Sequence, residues 1–134
     1  MNGAEIASEL LVASAALVAK VPAAQIKAGS LPEGVDLPAI LITTISSVDR
    51  ETVAAEETRR TTDRVQVTVH ARTYREKRDV LRLVRAACAD RFGDFAGMTD
   101  VSVHLDGLGP DLMDDASTIF AQAQDLLVSF NEAA

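Results

Sequence analysis

"TDRVQVTVHARTYREKRDVLRLVRAACADRF", Thr62 to Phe92, changes hydrophobic period partway along. In its first part Val65, Val67, Val69 and Ala71 alternate with Gln66, Thr68, His70 and Arg72. A period of two predicts a strand with one buried and one polar face. After Thr73, Val80, Leu81, Val84, Ala87 and Cys88 recur at helical spacing, with Phe92 completing the seam. Thr73 is placed to cap that helix, with Glu76 three residues on to close a capping box, and Gly93 is expected to end it. Beside the seam, Arg75, Arg78, Arg82 and Arg85 form one stripe, their 3-4-3 spacing keeping them on one side of the helix.

On the N-terminal side, Ile6, Leu10, Leu17 and Val21 share a sector, which predicts an amphipathic helix over about residues 4–20, closed by Pro22. Glu5 and Glu9 stand where a secretory leader would be basic, so a cytosolic helix is expected there. A short strand near Ile26 and a turn at Pro32-Glu33-Gly34 precede "AILITTISSV", a β-branched run expected as a strand from Ala39 to Val48. Residues 49–62, "DRETVAAEETRRTT", lack an apolar face and are expected as a long charged excursion between strands. Beyond the helix, "DVSVHLDG" reads as a strand with Val101, Val103 and Leu105 inward. "STIFAQAQDLLVSFNE" reads as a long last strand, bulged near Gln122. The result is a single domain over 1–134 in the order α-β-β-β-α-β-β(-β). Its class is α+β, an antiparallel sheet with two helices packed on one face.

Charge is segmented along the chain. Residues 1–58 hold three Lys or Arg and eight acidic groups, residues 59–91 ten and four, and residues 92–134 eight acidic groups and no Lys or Arg. A formal net charge of −7 argues against a general nucleic-acid binder. The single cysteine, Cys88, excludes an internal disulfide framework and a multi-thiolate zinc site.

No glycine-rich phosphate loop, nucleophile elbow or paired-histidine zinc motif occurs, so no catalytic residue and no cofactor or metal is assigned. His70 and His104 lie on the outward faces of separate strands and would converge only if those strands were neighbours. Asp111, Asp114 and Asp115 form the densest carboxylate group, without the spacing of a calcium loop. For the arginine stripe two readings are open: a solvated helix face, or a surface facing the acidic C-terminal third of another copy.

Three places carry a family resemblance. They are "LPAILI" (Leu37–Ile42), "DRVQVTVHARTYREKRDVLRLVRAA" (Asp63–Ala87) and "AQAQDLLVSF" (Ala121–Phe130). In this order they resemble the tail-completion proteins of tailed bacteriophages and of related prophage and gene-transfer particles, among them the tail terminators of long non-contractile tails. Leu126 and Leu127 depart from the pattern, standing where bulky aromatics are common. The resemblance implies an α+β subunit that assembles with itself into a ring, a hexamer in such families. That ring sits in the virion at the head-proximal end of the tail, between the tail tube protein and the head-closure proteins. DNA crosses its lumen without base recognition, and no membrane is involved. On this reading Arg75, Arg78, Arg82 and Arg85 face Asp111, Asp114 and Asp115 of a neighbouring subunit. Arg50, Glu51, Glu56, Glu57, Arg59 and Arg60 of the excursion then contact the tube or the next ring. Two alternatives remain: a head-tail connector or stopper component, and a small enzyme or ligand-binding domain using His70 and His104.

Overall fold

The computed structural model describes residues 2–32, 34–50, 58–113 and 119–133. In chain order the helices are α1 (Gly3–Ala13), α2 (Ala15–Lys20) and α3 (Tyr74–Cys88). The strands are β1 (Ile26–Ala28), β2 (Ala39–Arg50), β3 (Thr58–Ala71), β4 (Arg91–Phe95), β5 (Met98–Leu108), β6 (Leu112–Met113) and β7 (Phe120–Ala133). They form one seven-stranded sheet ordered β1-β2-β3-β7-β5-β4, with β6 extending the edge of β7. Every pairing is antiparallel except β1 with β2, so the expected α+β sheet is mixed at one edge.

The period-two stretch occupies the middle of this sheet. Val65, Val67, Val69 and Ala71 are fully buried on the side that carries the helices. Alternation propagates that choice across the register: Val65 pairs with Leu126, Leu126 with Leu105, and Asp63 with Val128. The helices close over this face with Ile6, Leu11, Leu17, Val80, Val84 and Cys88, all at zero exposure. Each such aliphatic side chain contributes roughly 1.5–3 kcal/mol on burial.

Two polar contacts fix how the helical layer sits. The Gly3 amide donates to the Asp63 carboxylate at 2.8 Å, and Asp63 is 2% exposed. A Cβ on Gly3 would lie 2.8 Å from the Asp63 Cβ, so only glycine lets the start of α1 approach β3 this closely. The favourable field of a helix N-terminus adds to the contact. On α3 the capping box forms as expected: Thr73 Oγ1 accepts from the Glu76 amide at 3.1 Å, and Glu76 accepts from the Arg72 amide at 3.2 Å.

Four expectations are corrected. The N-terminal helix breaks at Ser14, whose extended backbone leaves α1 and whose hydroxyl accepts from the Leu17 amide at 3.3 Å to start α2. The break lets Leu11, Leu17 and Val21 all reach the core. The described half of the charged excursion is strand: β2 and β3 pair down to Arg50 and Arg60. Polar cross-strand bonds replace apolar alternation there, Thr61 to Asp49 at 2.8 Å and Ser47 to Asp63 at 2.5 Å. Only residues 51–57 of that excursion lie outside the described residues, with Glu51, Glu56 and Glu57 among them.

The second helix ends at Cys88, before Phe92. Asp90 turns the chain with a φ of 48°, a left-handed conformation that Asp tolerates better than most residues, and Phe92 lies in β4. Lastly, β7 pairs with β3 without a slip, and the irregularities fall opposite it in β5, between Thr99 and Ser102 and, nearer the expected position, between Leu105 and Leu108. There the Gln124 amide donates to the Gly107 carbonyl at 3.2 Å, satisfying the bulged backbone.

Phe130 is 1% exposed and Phe92 is 64% exposed, which separates the two phenylalanines energetically. Phe130→Ala is expected to cost about 3–5 kcal/mol in urea unfolding. Phe92→Ala is expected to stay within about 0.5 kcal/mol, the range of a surface change. A large loss from Phe92→Ala would restore that residue to the helix seam.

Candidate subunit interface

All four arginines of the stripe are exposed on α3, and among the described residues none lies within ion-pair distance of a carboxylate. The helix turns its apolar side to the sheet and so presents this charge outward. The arginines on the open face of the sheet behave differently. Arg64 bonds Asp125 at 3.0 Å and Asp106 at 3.0 Å, and Gln66 joins the same Asp125. Arg60, expected in the excursion, sits in β3 and donates to the Asp100 carbonyl at 2.5 Å and to Asn131 at 3.3 Å. Arg50 and Arg59 likewise fall in strands, β2 and β3. Among the described side chains, Arg60 and Arg64 of the open face thus have acidic partners, whereas the four arginines of α3 have none.

Asp111 has a partner within its own subunit. Lys77, 1% exposed on the buried side of α3, reaches its carboxylate, and the Tyr74 hydroxyl donates to the same group at 3.3 Å. The Lys77 ammonium also stands 4.1 Å over the Tyr74 ring. A charge this deep needs a compensating group, and Asp111 supplies it from the turn after β5. Sequence reasoning made no assignment for Lys77 and so missed this pair. Its position three residues before Val80 and four before Leu81 was the available signal. Asp114 and Asp115 lie outside the described residues.

The remaining chemistry is sparse. β7 separates the strands of His70 and His104, which pair with Ala121 and Leu127 respectively, so the histidines stand roughly 20 Å apart along the strand and do not converge. His104 contacts Asp90 at 3.2 Å and meets the Phe92 ring edge-on at 5.5 Å. His70 Nε2 is buried without a partner, at a pocket of about 300 Å³ lined by Leu31, Val35, Leu37 and Ile119. Burial holds its pKa below the ordinary 6.5. Burial also pushes the Cys88 thiol up to about 12, against the pull of Arg91, so it is a poor nucleophile. No group of three His, Cys, Asp or Glu side chains among the described residues is arranged to hold a metal ion. No helix among them is long and apolar enough to cross a membrane.

A chain of the virion of a native gene transfer agent particle superposes with a TM-score of 0.72, covering 97% of this chain and 95% of that one at 10% identity. The two share an architecture. The profile of the tail completion protein gp17 family matches residues 8–109, three quarters of the chain, and the protein belongs to that family. It is a structural component of a phage-type tail. No curated protein matches it by sequence.

The Lys77–Asp111 pair generates a pH prediction. Lys77, joined by the Tyr74 hydroxyl, holds the Asp111 carboxyl below its ordinary 3.8, so the unfolded chain binds the proton more readily than the folded one. The resulting stability is present at neutral pH and is lost as pH falls below 3.8 through the folded value. Asp111→Asn is therefore expected to unfold at lower urea than wild type at pH 7, with the gap closing in acid. A gap that stays constant down to acid unfolding would contradict the pair's role.

Proposed function

We propose that the chain is a tail terminator: a subunit that assembles with itself into a ring, a hexamer by resemblance, and caps the tube of a long non-contractile tail. The ring stops tube growth and offers head-closure proteins a docking surface at the head-proximal end of the virion. DNA passes through its lumen without being read. The supporting observation is the exposed arginine stripe of α3, in a chain of the tail completion family whose other described arginines of the sheet face already have acidic partners. Four guanidinium groups in one row are weakly held by water and well suited to carboxylates of a second protein surface. The C-terminal third holds eight carboxylates and no Lys or Arg, of which Asp100, Asp106, Asp111 and Asp125 already have partners within the subunit. Head-to-tail contact between a basic and an acidic surface of identical subunits closes into a ring when the rotation permits.

An acidic subunit also suits the lumen, since a weakly repelling wall does not trap the genome as it passes. The chain needs no cofactor for this role and is made in the host cytoplasm before joining the virion.

Charge reversal tests the contact. Arg78→Glu with Arg82→Glu is expected to weaken self-association at least tenfold in light scattering, and Arg78→Lys with Arg82→Lys to retain most of it. Wild-type association is expected to fall as salt is raised. An oligomer unchanged by the double reversal would remove the stripe from the interface.

A further inference from the structure

Both edges of the sheet carry an exposed apolar side chain on the open face. Val48, near the end of β2, is 56% exposed and Phe92, on β4, is 64% exposed. The register puts them in one line. Phe92 pairs with Ser102, Ser102 with Ser129, Ser129 with Thr62 and Thr62 with Val48. One row thus crosses the whole sheet at a constant level, with hydroxyls in its middle and an apolar side chain at either end. The adjacent row, on the helical face, runs from Arg91 through Val103, Val128 and Asp63 to Ser47.

Among the described residues no strand lies beyond either end of these rows. β4 pairs only with β5. At the other edge β1 covers β2 from Ile40 to Ile42. The Gly29 amide adds a bond to the Ile42 carbonyl at 2.9 Å, and Gly29, with a φ of 89°, then turns the chain away. β2 continues to Arg50, with Thr44 to Asp49 exposed. An uncovered strand offers its backbone N–H and C=O groups to another chain. Because β1 pairs in parallel, this edge already takes a strand that runs in the direction of β2.

The topology says which strand fits. From β2 through β3, β7 and β5 to β4 every pairing is antiparallel, which gives β4 the direction of β2. Rotation about an axis along the strands preserves direction, so β4 of a neighbouring copy meets the β2 edge as a parallel strand, end to end with β1. A closed ring has no step along its axis, so the rows of neighbours meet at one level and Phe92 falls opposite Val48. Charge agrees with this register. Arg91 is exposed and has no carboxylate partner among the described residues. It comes level with Ser47 of the neighbour, one diagonal from the exposed Asp49 on the same face and within reach of a long side chain.

We propose that β4 of one copy pairs in parallel with the Thr44–Asp49 stretch of β2 in the next, Phe92 packing on Val48 and Arg91 facing Asp49. This rests on the ring reading and names the sheet edges as its joint. The arginine stripe lies in the helical layer and makes a separate contact.

Disulfide trapping between full-length chains tests it. Within one chain β3, β7 and β5 separate Val48 from Phe92 by roughly 19 Å at the usual strand spacing, beyond the span of a disulfide. Cys88 is buried, its thiol pushed up to about 12, and does not compete. On mild oxidation, a mixture of Val48→Cys chains with Phe92→Cys chains is expected to give a mixed dimer at least roughly tenfold above the dimers of either chain alone. Val48→Lys and Phe92→Lys are each expected to weaken self-association at least roughly tenfold in light scattering, since an edge lysine opposes strand pairing, and Phe92→Leu to retain it. Oligomers that lack the 48–92 link, or that both lysines leave unchanged, overturn the edge pairing and leave the ring reading standing. A 48–48 or 92–92 link as the main product overturns it in favour of a two-fold contact. A chain that stays monomeric and unlinked overturns both readings.

Discussion

The alternation of Val65, Val67 and Val69 with Gln66, Thr68 and His70 is the constraint on which the structure depends. It makes β3 a strand with one apolar side and, through the register, assigns an inner face to β2, β7 and β5 as well. Both helical segments must then lie on that side, and the arginines of α3 can only point away from the sheet. Asp63 continues the same inner face as a buried carboxylate and gives α1 its landing point at Gly3. A one-residue slip in β3 would put the valines in water and Arg64 in the core.

The fold was legible where side chains of one character repeat. β3, α3 and its capping box, and the strands at Val101 and Leu126 follow from periodicity alone. Polar strands were not legible: Thr61, Asp63 and Ser47 hold the far end of the β2–β3 ladder by hydrogen bonds, which leave no hydrophobic period. Ser14 was hidden because alanines flank it, so the apolar run reads as one helix until its hydroxyl is seen capping the second. Phe92 fell at helical spacing by coincidence, and only the left-handed Asp90 separates it from α3.

For the candidate interface, the exposure of Arg75, Arg78, Arg82 and Arg85 was legible, since residues beside a buried seam must face outward. Their freedom from partners was not, because it depends on where distant carboxylates fall. The sheet face shows the contrast: Asp106 and Asp125, distant in sequence from Arg64, converge on it through the β3–β7–β5 register. Lys77 and Asp111 form the third case, an ion pair that fastens the turn after β5 to the buried side of α3. The described arginines Arg60 and Arg64 of the sheet face are thus paired and those of α3 are left open, an asymmetry that suits the head-to-tail contact proposed above.

The role in tail completion is tested most directly by deleting the gene and examining the particles by electron microscopy. The account predicts filled heads alongside unattached tails of abnormal, extended length, because nothing stops the tube or offers the head a docking surface. Tails of normal length beside heads that have leaked their DNA would contradict it, and would move the protein from the end of the tube to the head stopper.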